Sequence, residues 1–240
     1  IDLNITDNHA NNAIFHISDH RLREPVLKML IQRGVNINHK NKYQNTALHQ
    51  AALINCLYAV QILIKNGADV YMRGPFHFVP LHNALHNGYI DIVQALIQAG
   101  ADVNLTSDKG ESVLMMACYF GFTDIVKILL KAGAKIHLRT KNYPYGYGET
   151  ALIKAAMKGY TIIVKMLIKH GANIKSPQEV DSRGKTILAW AAIKGYLDLT
   201  ELYISHGIDI NAQDNEGNTA LHYAAKHGNY HTVKLLLKNR

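Results

Sequence analysis

The sequence lacks the features by which membrane, secreted and catalytic proteins are usually recognised. None of its 240 residues falls in a run of about 18 uncharged apolar residues, so we expect no membrane span. We expect no signal peptide within this stretch, because no basic segment followed by an apolar one opens it. The motifs Gly-x-Ser-x-Gly and His-Glu-x-x-His and paired catalytic carboxylates are also missing. These absences favour a protein that is not an enzyme.

Cysteine is scarce, and its placement argues against disulfides. The two cysteines, Cys56 and Cys118, fall two repeats apart in the pattern described below. With neighbouring helices about 8–10 Å apart, their separation of roughly 20 Å exceeds disulfide reach. We therefore expect free thiols and a reducing compartment, which predicts a cytoplasmic protein.

What the sequence contains instead is a phrase that returns about every 33 residues. Thr-Ala-Leu-His occupies 46–49 and 219–222, with weaker copies between them. A small pair follows five and six places after the first residue of each copy, and a glycine follows at nine in most. A fixed period of this length indicates a stacked array. We call the first residue of each copy its marker, and the seven markers are Ala13, Thr46, Val79, Ser112, Thr150, Thr186 and Thr219.

Each repeat carries the pattern of two helices. The small pair, for example Ala155 and Ala156, allows close approach of helices in adjacent repeats. After the glycine, apolar residues recur at spacings of three and four, as in Val126, Leu129 and Leu130, which puts them on one helix face. A segment such as Gly-Ala-Asp-Val then ends the second helix and begins an extended turn. Each repeat is thus a turn, a short helix, a turn and a longer helix.

This pattern resembles the ankyrin repeat over nearly the whole chain. The resemblance implies an all-α ankyrin-repeat solenoid of stacked helix-turn-helix units with β-hairpin-like fingers, forming a single domain over 1–240. It also implies a concave surface of fingers and first helices that binds other proteins, with no activity and no cofactor or metal. We expect repeats near 5–37, 38–70, 71–103, 104–137, 138–175, 176–211 and 212–240.

Residues 1–4 read like 208–211, the tail of a repeat, so we expect a further repeat before residue 1 and a longer natural protein.

The chain departs from the family pattern in the histidine that braces neighbouring turns. The family's histidine is kept at His16, His49, His82 and His222. Met115, Ile153 and Ala189 replace it in repeats four to six, which predicts apolar bracing or lower stability there. Repeat six also has Thr200 and Tyr203 where the second helix usually has Val and Leu.

Two fingers are longer than the others. The extra residues fall at 141–148 and 176–180. Insertions in repeat arrays map to loops, often on the binding face. The first insertion contains three tyrosines, and tyrosine suits a contact loop because it offers a rigid amphipathic surface.

The net charge of +8 is concentrated in the middle of the chain. Residues 127–175 hold ten Lys or Arg and one acid, Glu149, for a net charge of +9. Such asymmetry predicts an acidic partner. Lysines of the second helices, such as Lys165 and Lys169, are interpreted as ordinary solvated residues. Arg139, Lys141, Lys154 and Lys158 map to a finger or a first helix.

First-helix positions four, seven and eight after the marker face the concave side, and large side chains fill them in repeats four to six. Aromatic residues and methionine are enriched in interface cores. An alternative is that Met116, Trp190 and Tyr223 pack between first helices, and that the tyrosine finger packs on its neighbour. The predicted partner-binding residues are Met116, Tyr119, Phe120, Arg139, Lys141, Tyr143, Tyr145, Tyr147, Lys154, Met157, Lys158, Trp190 and Ile193.

Three functions are compatible with these patterns. The first is a monomeric module that binds another protein, with an acidic segment as the expected partner. The composition, rich in Ile, Asn and Lys, is compatible with a low-GC genome, which leaves open a host-directed effector of an intracellular bacterium or a viral protein, acting in the host cytosol. The second is binding of nucleic acid or anionic lipid by the basic middle, which the lack of a contiguous basic run disfavours. The third is the targeting arm of an enzyme whose catalytic domain lies outside this segment.

Overall fold

The computed structural model describes residues 2–17, 24–141, 148–177 and 179–239. In these ranges the protein is all-helical, with thirteen α-helices, short 3-10 helices at Ala13–Ile17 and Pro75–His77, and no β-strand. Contacts divide the chain into two compact units, residues 1–108 and residues 109–240, which we call the N-terminal and C-terminal units. Among the described helices, none combines the length and hydrophobicity that crossing a bilayer requires.

The N-terminal unit is a series of helix pairs. In it α2 packs on α3 and α4, while α3 packs on both α1 and α5. The first helix of a pair begins where a marker caps it: the Thr46 hydroxyl accepts the His49 N–H at 3.4 Å, and His49 Nδ1 accepts the Thr46 N–H at 3.1 Å. The helices are α1 (Glu24–Gln32), α2 (Ala47–Leu53), α3 (Leu57–Lys65), α4 (Pro80–His86) and α5 (Ile90–Gln98).

The C-terminal unit repeats the same arrangement four times. Its first helices α6, α8, α10 and α12 pack in series, and each packs on the second helix that follows it. The small pairs lie at these contacts, and Ala155, Ala156, Ala191 and Ala192 are fully buried, as their spacing predicts. The helices are α6 (Val113–Phe120), α7 (Thr123–Lys131), α8 (Ala151–Lys158), α9 (Thr161–Lys169), α10 (Ile187–Lys194), α11 (Leu197–Ser205), α12 (Ala220–Lys226) and α13 (Tyr230–Lys238).

The fingers of repeats two, six and seven contain turns closed by a side-chain amide or carboxylate, that of Asn41, Asp181 or Asp214. Asp181 Oδ1 accepts the N–H groups of Arg183 and Lys185 at 2.8 and 2.9 Å, and Asp214 Oδ1 does the same for Glu216 and Asn218. Each of these acids lies five places before its marker. The Asn215 N–H also donates to the Arg183 carbonyl at 3.1 Å, which links two successive fingers.

Tyr203, which replaces the usual apolar residue of the second helix in repeat six, is 0% exposed in α11. Within the described ranges its hydroxyl has no hydrogen-bond partner. A buried hydroxyl without a partner costs about 1–3 kcal/mol, so we expect Tyr203→Phe to raise the free energy of unfolding by about 1 kcal/mol. Urea unfolding followed by circular dichroism measures it.

A matched control is Tyr223→Phe, because the Tyr223 hydroxyl donates to Asp214. This second change is expected to lower the free energy of unfolding. A loss of stability in Tyr203→Phe of the same size as in Tyr223→Phe would show that the Tyr203 hydroxyl is satisfied in solution.

Candidate functional site

The end of α6 exposes two aromatic side chains, Tyr119 and Phe120, each 37% exposed. The edge of one ring meets the face of the other at 5.3 Å between centroids, and Phe120 stacks on Phe122 at 5.6 Å. We call Tyr119, Phe120, Phe122 and Tyr160 the aromatic cluster. Its rings support one another, so the two exposed ones are held in place before any partner arrives.

A glycine allows the fourth ring to join this cluster. Gly121 ends α6 with a left-handed φ of 79°, and a Cβ there would lie 2.5 Å from the Tyr160 ring. The Tyr160 hydroxyl donates to the Phe120 carbonyl at 3.4 Å. The glycine predicted as a helix end therefore also makes room for an aromatic ring.

Two lysines of α8 lie over the Tyr119 ring. Lys158 Nζ is 4.2 Å and Lys154 Nζ 5.6 Å from its centroid. Lys154 is ion-paired with Glu149, and its side chain is only 15% exposed. Lys158 is exposed and has no ion-pair partner among the described residues. Of these two predicted site residues, only Lys158 carries an uncompensated charge at the surface.

Met157 and Ile193 are half-buried on α8 and α10. Trp190 is also half-buried, and its Nε1–H donates to Asp181 Oδ2 at 3.2 Å. Tyr223 occupies the corresponding slot of α12 and bonds Asp214 in the same way, as already described. Both rings are thus tied to the finger of their own repeat.

Met116 corrects the sequence prediction. Its side chain is 4% exposed, and it lies within a run of α6 residues, 113 to 118, that are all buried. A side chain in the core cannot contact a partner, so the alternative of packing inside the array is the one that holds for this residue. Position four after the marker is not a solvent position in repeat four.

Arg139 belongs to a polar contact that sequence reasoning missed. Its Nη1 donates to the Gly148 carbonyl at 2.9 Å, and its Nη2 lies 3.4 Å from Glu179 Oε2. Glu179 Oε1 accepts the Thr150 hydroxyl. Burial raises the pKa of the Glu179 carboxyl, while Thr150 and Arg139 act to lower it. We call Arg139, Thr150 and Glu179 the Glu179 network.

The Glu179 network provides polar bracing in repeat five, where the sequence predicts apolar bracing or lower stability. In repeat two, His49 Nε2 bonds the Phe78 carbonyl of the next finger at 3.2 Å. In repeat five, where Ile153 replaces the histidine, the marker hydroxyl of Thr150 instead donates a hydrogen bond to Glu179 of the next finger. One of the two longer fingers therefore has a structural role. In the other longer finger, Lys141 is exposed, and Tyr143, Tyr145 and Tyr147 lie outside the described residues.

A groove lies at repeats six and seven, with a volume of about 550 Å³. Its apolar lining is Trp190, Ile193 and Tyr223, and its lining also includes Arg183 and Lys226. Trp190 and Ile193 are predicted site residues, and the structure brings them together with Arg183, which the sequence did not single out. The available signal was the recurrence of an acid five places before the marker and an aromatic residue four places after it. Among the described residues, no three His, Cys, Asp or Glu are grouped closely enough to hold a metal ion.

Comparison with known families identifies the class of this protein. Residues 1–74 and 81–178 match the family described as ankyrin repeats in three copies, and residues 54–97 and 188–237 match ankyrin repeats in many copies. The chain belongs to the ankyrin repeat family, and its fold is an all-α ankyrin-repeat solenoid. Proteins of this fold are generally protein–protein interaction modules and are typically not catalytic.

Among solved structures, the chain is similar to the human ASB11 ankyrin repeat domain. The TM-score is 0.79 at 25% sequence identity, over 96% of this chain and 98% of that chain. No curated protein matches the sequence. The likeness therefore bears on the fold, and the choice of partner has to be argued from this chain's own residues.

Proposed function

We propose that the protein binds a segment of another protein through the concave side of its C-terminal unit. The contact surface is formed by Tyr119, Phe120, Met157, Lys158 and Ile193. The observation that supports it is the aromatic cluster, in which two large rings at the end of a first helix are exposed while a lysine lies over one of them. Exposed aromatic rings beside cations are typical of interface anchors.

The physical basis of binding is rigidity. Association costs free energy for every side chain that must be ordered. Here Tyr119 and Phe120 are already held by ring contacts, and Lys158 by the Tyr119 ring, so little ordering remains. Apolar contact supplies the affinity, and the exposed lysine favours an acidic partner.

The same proposal places the protein in the cytoplasm as a monomeric scaffold without catalytic activity. Cys56 and Cys118 are buried free thiols, a state that suits a reducing compartment. The Ile-, Asn- and Lys-rich composition supports a source among intracellular bacteria or viruses. For such a source, the proposal is that the protein acts as an effector in the host cytosol.

The test is to select peptides from a random display library on the folded chain and to measure their affinity by fluorescence anisotropy. We expect Tyr119→Ala combined with Phe120→Ala to weaken the selected peptides by about 30-fold or more, as for anchor residues of other interfaces. Circular dichroism checks that the variant stays folded.

The control removes two large side chains of second helices that are more exposed than Tyr119 and Phe120: Ile162 and Tyr230, which are 65% and 68% exposed. Alanine at these two positions is expected to leave affinity within twofold. Peptides that depend on Ile162 and Tyr230 but not on Tyr119 and Phe120 would place the binding surface elsewhere.

A further inference from the structure

The groove of repeats six and seven is a preformed, rigid cavity. Trp190 and Tyr223 are fixed through their polar atoms, by Asp181 and Asp214 respectively. Ile193 lies in the same lining and has no polar atom in its side chain. Its volume of about 550 Å³ is large enough for a large side chain. Trp190, Ile193 and Tyr223 offer that side chain an apolar contact, and charged and polar residues form the rest of the lining.

Two aspartates at the groove are already engaged: Asp181, which lines it, and Asp214, which bonds the lining residue Tyr223. Asp181 accepts hydrogen bonds from the backbone N–H groups of Arg183 and Lys185 and from the indole N–H of Trp190. Asp214 accepts them from the backbone N–H groups of Glu216 and Asn218 and from the hydroxyl of Tyr223. Their capacity to accept further hydrogen bonds is largely used inside the fold. They contribute little to attracting a cation from outside.

The bases of the groove are still available. Arg183 and Lys226 line it and are exposed, and within the described ranges neither has an ion-pair partner. Lys194 lies beside the lining, directly after Ile193 at the end of α10, and it too is exposed and without an ion-pair partner in those ranges. Glu216 is the exposed acid of the lining. The exposed charge around the apolar lining is thus mainly positive.

The lysines continue this positive edge toward the aromatic cluster. Lys158 and Lys194 occupy the same slot, eight places after the marker, on the packed helices α8 and α10. Packed helices lie about 8–10 Å apart, and a segment extended as a polyproline II helix advances about 3.1 Å per residue with three residues per turn. Carboxylates three residues apart on such a segment lie on one side of it and match this spacing.

We infer that the groove takes one large apolar side chain from an extended acidic segment of the partner, and that carboxylates three residues apart on that segment pair with Lys194 and Lys158. This inference rests on the proposed function and specifies its partner. Apolar burial in the groove provides most of the affinity. The exposed ion pairs contribute mainly specificity and association rate, because water and salt screen them.

Trp190 is the only tryptophan of the chain, so its emission reports directly on the groove. The probe is a fluorescein-labelled peptide with one leucine followed by aspartates at the third and sixth positions after it, separated by glycine and serine. We expect saturable binding by anisotropy. With an unlabelled copy of the peptide, we expect a shift of Trp190 emission to shorter wavelength with the same dissociation constant.

Two variants separate the parts of the site. Ile193→Glu is expected to weaken the peptide by about tenfold or more, because it places a charge in the apolar lining. Lys158→Glu with Lys194→Glu is expected to weaken it by about fivefold, with a reduced dependence on salt. The charge-matched control, Lys165→Glu with Lys169→Glu on the exposed side of α9, is expected to stay within twofold. Circular dichroism checks folding, and Ile193→Ala replaces Ile193→Glu if the latter unfolds.

The outcomes also separate this inference from the proposed function. Peptide binding without a change in Trp190 emission, or equal losses in the α8–α10 pair and the α9 pair, would overturn the inference. The inference would also be overturned if a peptide with adjacent aspartates bound as tightly as the spaced one. The same conclusion would follow if a thymidine oligonucleotide displaced the peptide and its own binding responded to the variants in the same way. Library peptides that need Tyr119 but are unaffected by Ile193→Glu would leave the proposed function standing and reject the groove.

Discussion

Replacement of His49 by methionine is expected to remove most of the stability loss on acidification that His49 causes in the N-terminal unit. His49 is 0% exposed in α2, and burial is the main reason that its pKa is lowered from 6.5 to about 4. Its Nδ1 accepts the Thr46 N–H, and its Nε2 bonds the Phe78 carbonyl. That pattern requires the neutral ring, with the proton on Nε2.

The pH window follows from the two pKa values. As the pH falls below 6.5 the unfolded chain takes up a proton on this histidine, but the folded chain does so only near pH 4. Stability is therefore lost on acidification between these values. Between pH 7 and pH 4.5 the loss from this one group is roughly 2–3 kcal/mol. Methionine is a suitable replacement, since Met115 fills the same slot in α6, where its sulfur accepts the Ser112 N–H.

The measurement is urea unfolding of the full chain at pH 7 and pH 4.5, with pulsed hydrogen exchange at a fixed pH to locate the loss. The control is His222→Met. His222 makes the same contact with its marker, Nδ1 to the Thr219 N–H at 3.1 Å, but is exposed. It should leave the pH dependence unchanged. If wild type and His49→Met lose equal stability in residues 1–108 on acidification, burial of His49 is not the cause.

The periodic features of the fold could be predicted from the sequence because each is repeated in the same chemical role. The small pairs lie at helix contacts, and the glycine after the first helix is left-handed at Gly121, Gly159 and Gly195. A single repeat would give weak evidence for either feature. Recurrence in register makes the assignment secure, since chance substitutions do not recur at one spacing.

The exposure of individual side chains was harder to predict. Met116 and Trp190 occupy the same slot, yet the first is buried and the second half-buried. The difference depends on which residues of neighbouring helices and fingers surround the slot. Trp190 reaches Asp181 in its own finger, whereas the corresponding residue of repeat four is Ser107. The repeat pattern fixes the direction of a side chain but leaves its neighbours undetermined.

The Glu179 network shows the limit of reading the repeat alone. The absence of histidine in repeat five predicts apolar bracing or lower stability there. The acid that fills its role comes from the next repeat and lies in an insertion, so it has no periodic counterpart. A buried carboxylate could be anticipated only by asking which residue satisfies the Thr150 hydroxyl. That question requires the relative position of two fingers, which the sequence does not contain.

Replacement of Arg139 by methionine is expected to lower the free energy of unfolding of the C-terminal unit by about 2–3 kcal/mol at pH 7. Loss of one partner from a buried pair leaves the other charge uncompensated. The Glu179 side chain is 9% exposed, so water does not replace the guanidinium, which is itself 26% exposed. Thr150 still donates one hydrogen bond to the carboxylate. The Gly148 carbonyl loses its donor as well, which adds to the cost.

The pH dependence of this variant has the opposite sign to that of His49. Burial raises the pKa of Glu179 above its ordinary value of 4.5, so the folded chain binds this proton more readily than the unfolded one. The contribution of Glu179 to stability is full below pH 4.5 and is lost as the pH rises through the folded pKa. Without Arg139 the folded pKa rises further, so the cost of Arg139→Met is expected to shrink on acidification toward pH 5. Urea unfolding at pH 7 and pH 5 measures this.

A double-mutant cycle with Glu179→Gln isolates the ion pair from the lost Gly148 contact. In the Arg139→Met background, Glu179→Gln is expected to recover about 1–2 kcal/mol at pH 7, because a neutral amide is easier to bury than an unpaired carboxylate. Lys141→Met, which removes an exposed cation from the same finger, serves as the control for general electrostatics. An equal loss in Lys141→Met would mean that Arg139 stabilises the finger through its positive charge in general, and Arg139 would again be a candidate for steering an acidic partner. No recovery with glutamine would assign the loss to the Gly148 contact and not to the ion pair.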